Sequence, residues 1–181
     1  GEDWHRAGMQ GNKQNVFDDF YACAEWLVAN KYTTSTRLAI EGGSNGGLLT
    51  GVATTQRPEL FAAAIIAVPL LDMVRFQDFL IARYWTPEYG SSEDAAQFQT
   101  LYAYSPYHNI KKDQRYPAML VTAGENDSRV HPLHARKFVA SLRAATESGL
   151  PILYWGDKDA GHGQGKPLNL RMRDLVDQRL F

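Results

Sequence analysis

Apolar residues along this chain fall into two patterns. In residues 13–30, Val16, Phe20, Cys23, Ala24, Leu27 and Val28 recur at three- and four-residue spacing, the period of an amphipathic helix, with Asn12 placed to cap its start. Residues 37–41, 62–68, 118–123 and 151–155 are instead short runs rich in consecutive apolar residues, as in LAI, AAAIIAV and AMLVTA. Such runs suit strands buried on both faces of a parallel sheet.

Further helices are predicted over 45–56, over the aromatic-rich stretch 72–85, after Pro132 with Ala135, Phe138, Val139 and Leu142 on one face, and over 168–180 with Leu168, Met172, Leu175 and Val176 aligned. Residues 1–11 read as a loop, and Pro87, Gly90, Pro106 and Asn109 break 86–112 into short helices and loops. Strands alternating with helices imply an α/β fold, a mostly parallel sheet with right-handed crossovers. Ligands of such sheets bind beyond the carboxyl ends of the strands.

The first of these strand ends is the most informative. Leu38, Ala39 and Ile40 run into Gly42-Gly43-Ser44-Asn45-Gly46-Gly47, and helix-compatible residues follow. Gly42-x-Ser44-x-Gly46 fits a nucleophile elbow, the sharp turn that lifts a serine hydroxyl out of an α/β-hydrolase sheet. A side chain at either flanking glycine is expected to collide with the neighbouring strand or helix. The Asn45 amide then points where an oxyanion develops.

Serine is a weak nucleophile at neutral pH and needs a base, which in turn needs an orienting acceptor. His162 follows the last predicted strand in a Gly-rich loop, and Asp127 follows the third. Each has a plainer reading, Asp127 as a turn former in Gly-Glu-Asn-Asp-Ser and His162 as a loop residue. The order Ser44, Asp127, His162 is nonetheless that of a hydrolase triad. His5, His108, His131 and His134 read as structural or surface residues, and no metal or cofactor site is expected.

Composition narrows the partners. The 181 residues suit one domain, and 19 basic against 20 acidic residues give a net charge of -1, which favours neither nucleic acid nor an acidic tail. No apolar run approaches the roughly 18 residues that span a bilayer, so no membrane association is expected. Residues 1–8 carry no signal-peptide core, and the expected location is cytoplasmic, with a periplasmic or secreted one left open because a fragment would have lost an N-terminal signal. The lone Cys23 excludes an internal disulfide framework and reads as a small buried hydrophobe.

At these residues the sequence resembles the C-terminal catalytic domain of the prolyl oligopeptidase family of serine peptidases. The resemblance rests on QNVFDDFYACAEWL, RLAIEGGSNGGLL, QRPELF, RYWTPEYG, YSPYHNI, NDSRVHPLHARKF and AGHGQGKP, which span nearly the whole chain. It implies an α/β-hydrolase fold and an oligopeptide substrate, cut after proline through an acyl-enzyme. It also implies Ser44 as nucleophile with Asp127 and His162, the Asn45 amide as an oxyanion donor, Trp85 stacked on the substrate proline, Tyr89 and Val130 lining the same pocket, and Arg129 on a substrate carbonyl. A flat indole matches a pyrrolidine ring, and a guanidinium suits a carbonyl acceptor.

Asp127-Ser128-Arg129 departs from the family's usual Asp-Asp-Arg, and Val68-Pro69-Leu70-Leu71-Asp72 departs from its proline-specific members. The resemblance further implies that residues 1–181 form the C-terminal portion of the hydrolase domain, lacking its N-terminal strands, the β-propeller and the tyrosine that gives the second oxyanion donor. The partners it leaves open are that N-terminal part of the same protein or a second copy. Two other readings stand beside it: a related esterase or a peptidase of other specificity, and a noncatalytic fragment that associates through its open sheet edge.

Overall fold

The computed structural model describes residues 1–163 and 166–181. Gln164 and Gly165, within the AGHGQGKP stretch, lie outside the described residues. Helix α1 (Glu2–Arg6) and a 3-10 turn (Gln10–Asn12) occupy the stretch read as a loop, and the helical spacing that follows forms α2 (Gln14–Ala29). Its buried residues are Phe17, Tyr21 and Ala24, successive positions on one face. Cys23 lies off that face and is exposed, which corrects the expectation of a buried thiol. Asn12 does not cap α2; its side-chain amide donates to the Arg6 carbonyl at 3.3 Å.

Strand β1 (Ala39–Gly43) leads into α3 (Asn45–Gln56), and β2 (Ala63–Ala67) follows. Between β2 and the next strand, residues 72–85 do not form the predicted helix, only 3-10 turns at Phe76–Asp78 and Ala82–Trp85. Phe79 is extended (φ −111°, ψ 127°) and Leu80 takes φ 53°, which breaks a helix through the segment, and side chains from other elements hold its start. The Leu71 and Asp72 amides donate to His134 Nδ1, the Met73 amide to Ser105 Oγ, and the Arg75 amide to Asp72 Oδ1. Short helices α4 (Thr86–Tyr89) and α5 (Ala95–Tyr104) come next, the latter capped by the Asp94 carboxylate on the Ala96 and Gln97 amides.

Strand β3 (Ala118–Gly124), α6 (Leu133–Ala145), β4 (Ile152–Asp157) and α7 (Leu168–Leu180) complete the chain. The strands form a four-stranded parallel sheet in the order β1-β2-β3-β4, with Ile40 opposite Ala64, Ile66 opposite Val121 and Val121 opposite Tyr154. The core gathers Ile40, Ile66, Met119 and Val121 with Leu48, Val52, Phe138 and Leu142 from α3 and α6.

The other face is thinly covered. Leu153 and Trp155 of β4 are 44% and 46% exposed, and a cavity of about 560 Å³ separates β3 and β4 from the C-terminal end of α7. Helix α7 has the bounds read from the sequence, but Leu168, Met172, Leu175 and Val176 are all exposed. Its anchor is ionic: Lys166 bridges Asp157 of β4 and Asp174 of α7.

Candidate active site

The turn between β1 and α3 places Ser44 in a conformation that few side chains tolerate, φ 58° and ψ −117°. Such strain costs on the order of 1–3 kcal/mol and persists only where the surroundings over-determine it. Here the Ser44 amide donates to the Ala67 carbonyl at 2.9 Å and the Ser44 carbonyl accepts from the Leu48 amide at 3.0 Å.

The steric need for glycine is real at one end of the motif and displaced at the other. A Cβ on Gly42 would lie 2.2 Å from the Gly46 carbonyl oxygen. A Cβ on Gly46 would meet nothing within 4 Å, contrary to the expected collision. The crowded neighbour is Gly47, whose Cβ would come within 2.8 Å of Pro69 and 2.9 Å of the Ala67 carbonyl. Helix α3 therefore packs against the end of β2 through Gly47.

Ser44 Oγ lies 2.9 Å from His162 Nε2, and His162 Nδ1 lies 2.6 Å from Asp127 Oδ2. The two readings of Asp127 coexist on its two oxygens: Oδ1 accepts from the Arg129 and Val130 amides at 2.8 and 2.9 Å, closing the turn, while Oδ2 faces the histidine. Burial alone would raise the Asp127 carboxyl, but the bonds from His162 and the two amides hold it below its ordinary range. The turn itself is docked on the His162 loop, where the Asn126 amide donates to the Ala160 carbonyl at 3.0 Å.

Asn45 opens α3, where the first amides lack intrahelical partners, so its N–H is available beside Ser44. The Arg129 guanidinium stands 5.7 Å from the centre of the Trp85 ring, a cation–π distance that joins two residues 44 positions apart. Tyr89 is buried edge-on against Phe76, its hydroxyl donating to Asn45 Oδ1 at 2.7 Å. Val130 is buried directly behind the Asp127 turn.

Glu125 is turned away, paired with Arg136 and accepting from the Tyr154 hydroxyl at 3.2 Å. His134 is buried, His108 bonds Ser105, His131 accepts from the Leu133 amide, and His5 pairs with Glu88, so these histidines have local structural roles. Sequence reading missed the Tyr89–Asn45 bond and a part-buried ion pair between Lys13 and Glu88. The one local sign of the latter is a lysine at a helix N-terminus, where the dipole disfavours a cation.

The profile of the Prolyl oligopeptidase family matches residues 1–179. The chain belongs to the prolyl oligopeptidase family. It is 42% identical over 180 residues to a prolyl endopeptidase of Dictyostelium discoideum, covering 98% of this chain and 24% of that one. A prolyl oligopeptidase of Omphalotus olearius is 45% identical over 184 residues, covering 100% of this chain and 25% of the relative.

Among solved structures, one from a study of two prolyl endopeptidases superposes with a TM-score of 0.96 at 52% identity, over 99% of this chain and 26% of that one. Prolyl oligopeptidase B from Galerina marginata, bound to a 25mer macrocyclization substrate, superposes at 0.93 with 38% identity, over 98% and 25%. The fold is accordingly that of an α/β-hydrolase, and the chain spans about a quarter of the length of the family relatives it matches.

Proposed function

We propose that the chain carries the nucleophilic apparatus of a serine peptidase that hydrolyses oligopeptides on the carboxyl side of proline. The observation that carries this reading is the hydrogen-bonded series Ser44, His162, Asp127, built on a strained serine at the head of α3. Family relatives named prolyl endopeptidase and prolyl oligopeptidase support it.

In the first half-reaction Ser44 Oγ attacks the scissile carbonyl while His162 Nε2 takes its proton. Asp127 Oδ2 holds Nδ1–H and so fixes the tautomer that leaves Nε2 free to accept. The developing oxyanion is met by the Asn45 amide. His162 then returns the proton to the leaving amine as the C–N bond breaks, giving the acyl-enzyme. Water attacks that ester with His162 again as base, releasing the carboxylic acid and restoring Ser44.

Trp85 supplies the flat apolar surface for the proline ring, with Tyr89 and Val130 completing the pocket wall. Arg129, already against Trp85, donates to the substrate carbonyl just upstream of the proline. We further propose that the outer edge of β1 and the thinly covered sheet face meet the polypeptide that makes up the other three quarters of the relatives' length. A tyrosine from that polypeptide would give the second oxyanion donor, and one such donor is worth roughly 10²–10³ in turnover.

Paired chromogenic peptides with proline or arginine at the cleaved position test the specificity. Preferential release from the proline peptide, lost in Ser44→Ala, is expected; preference for arginine would reject the assignment of Trp85 and its neighbours.

A further inference from the structure

Glu88 immediately precedes Tyr89 in α4, and its carboxylate gathers two basic residues from the start of the chain. Lys13 Nζ lies 2.7 Å from Oε1, its side chain only 4% exposed, and His5 Nε2 lies 2.7 Å from Oε2. Gln10 Nε2 adds a bond of 2.9 Å to the Pro87 carbonyl, so residues 5–13 grip α4 at three points. The Lys13 ammonium also stands 5.2 Å from the centre of the Tyr89 ring. From there the Tyr89 hydroxyl reaches Asn45 Oδ1, and Asn45 is the residue after Ser44.

Two features mark this as more than a stabilising contact. Helix α4 is 4 residues long, too short to hold its own geometry, so whatever grips it decides where Tyr89 sits. Lys13 is an awkward choice for stability alone: a buried cation at the N-terminal end of α2, opposed by the helix dipole and by its own desolvation. The arrangement makes sense where position matters, because small displacements of groups that meet a developing charge cost large factors in rate.

Resting on the reading of Ser44 as nucleophile, we propose that the Lys13–Glu88 pair is a positioning device for the oxyanion site: it fixes α4, α4 sets the Tyr89 hydroxyl on Asn45, and Tyr89 holds Asn45 in register beside Ser44. Glu88 and Lys13 touch no substrate in this scheme. They act through Tyr89.

The test is a double-mutant cycle on the second-order rate of modification by a fluorophosphonate, read by intact mass, for the 181-residue chain, Glu88→Gln, Tyr89→Phe and the double variant. Modification of the parent chain that is absent in Ser44→Ala establishes the underlying reading; a parent chain that circular dichroism shows folded and that stays unmodified overturns that reading and the proposal with it. Given a reactive parent, each single variant is expected to slow modification roughly tenfold. The double variant is then expected to be no slower than the slower single, since both changes interrupt one route. Glu88→Asp, which keeps the charge, is expected to recover part of the rate.

If circular dichroism shows Glu88→Gln unfolded, Lys13→Met combined with Glu88→Gln removes the buried cation together with its partner and takes its place in the cycle. Unchanged rates in the singles, or a double variant slowed by the product of the two, overturns the proposal.

Discussion

Asp127 shows how much chemistry one side chain can divide between its oxygens. One oxygen closes the Asp127–Val130 turn through two amides and the other orients His162. Asp127→Asn keeps an acceptor for the turn but presents an amide donor or a neutral carbonyl to the histidine, so the tautomer preference is lost. The thermal midpoint is expected to change little while Ser44 reactivity falls by on the order of 10³–10⁴. Parallel calorimetry and peptide hydrolysis check this, and equal losses in both would contradict the division of labour. The glycines of the elbow separate in the same way. Gly46→Ala has open space and a helical position, and is expected to leave the fold unharmed or firmer by about 0.5–1 kcal/mol, whereas Gly42→Ala drives a methyl into the Gly46 carbonyl and is expected to unfold the turn. Thermal unfolding of the two variants distinguishes them, and equal midpoints would refute the steric account.

Among elements, the segment after β2 depends on α6 through His134. Its Nδ1 accepts from two backbone amides, so the ring is neutral with its proton on Nε2. Burial pushes its pKa down to about 4, with Asp72 opposing and Lys137 and His131 reinforcing. The unfolded chain therefore takes up this proton first, from about pH 6.5 downward. The contribution to stability is whole above that pH, declines between about 6.5 and 4, and falls no further below, where both states are protonated. The loss is roughly 3 kcal/mol at most. Urea midpoints across this range are expected to fall more steeply for the parent than for His134→Asn, and identical slopes would contradict the assignment. The same segment explains where sequence reading stopped. Strand runs were legible as short apolar stretches, though only alternate residues of β2 and only the end residues of β4 are deeply buried. The 45–56 helix was legible from the elbow that precedes it, since it is buried nearly all round from Gly47 to Thr55 and carries no amphipathic stripe. Residues 72–85 carry helix-compatible spacing, but the backbone leaves helical geometry at Phe79 and Leu80, and the segment's start is held by His134 and Ser105, partners distant in sequence that no local pattern reports. Cys23 was misplaced for a simpler reason: the apolar stripe of α2 is wider than its buried part.

At the scale of the molecule, one face of a parallel sheet is packed and the other is thinly covered. Parallel sheets are ordinarily covered on both faces, so Leu153, Trp155 and the apolar row of α7 are the exposed surface that the remaining polypeptide would cover under the proposal above. The three strand ends nevertheless bring Ser44, Asp127 and His162 together from the residues present here, at 2.9 and 2.6 Å. The triad order was legible because each member follows its own strand, while the Tyr89–Asn45 bond and the Lys13–Glu88 pair were not, because these links run through space alone.

The most direct test of the central claim is to map, by peptide mass spectrometry, where a fluorophosphonate modifies this chain and its His162→Ala variant. The account predicts a single adduct on Ser44 in the parent chain and a loss of that adduct when His162 is removed. A folded chain that carries no adduct, or one whose Ser44 is modified equally well without His162, would contradict it.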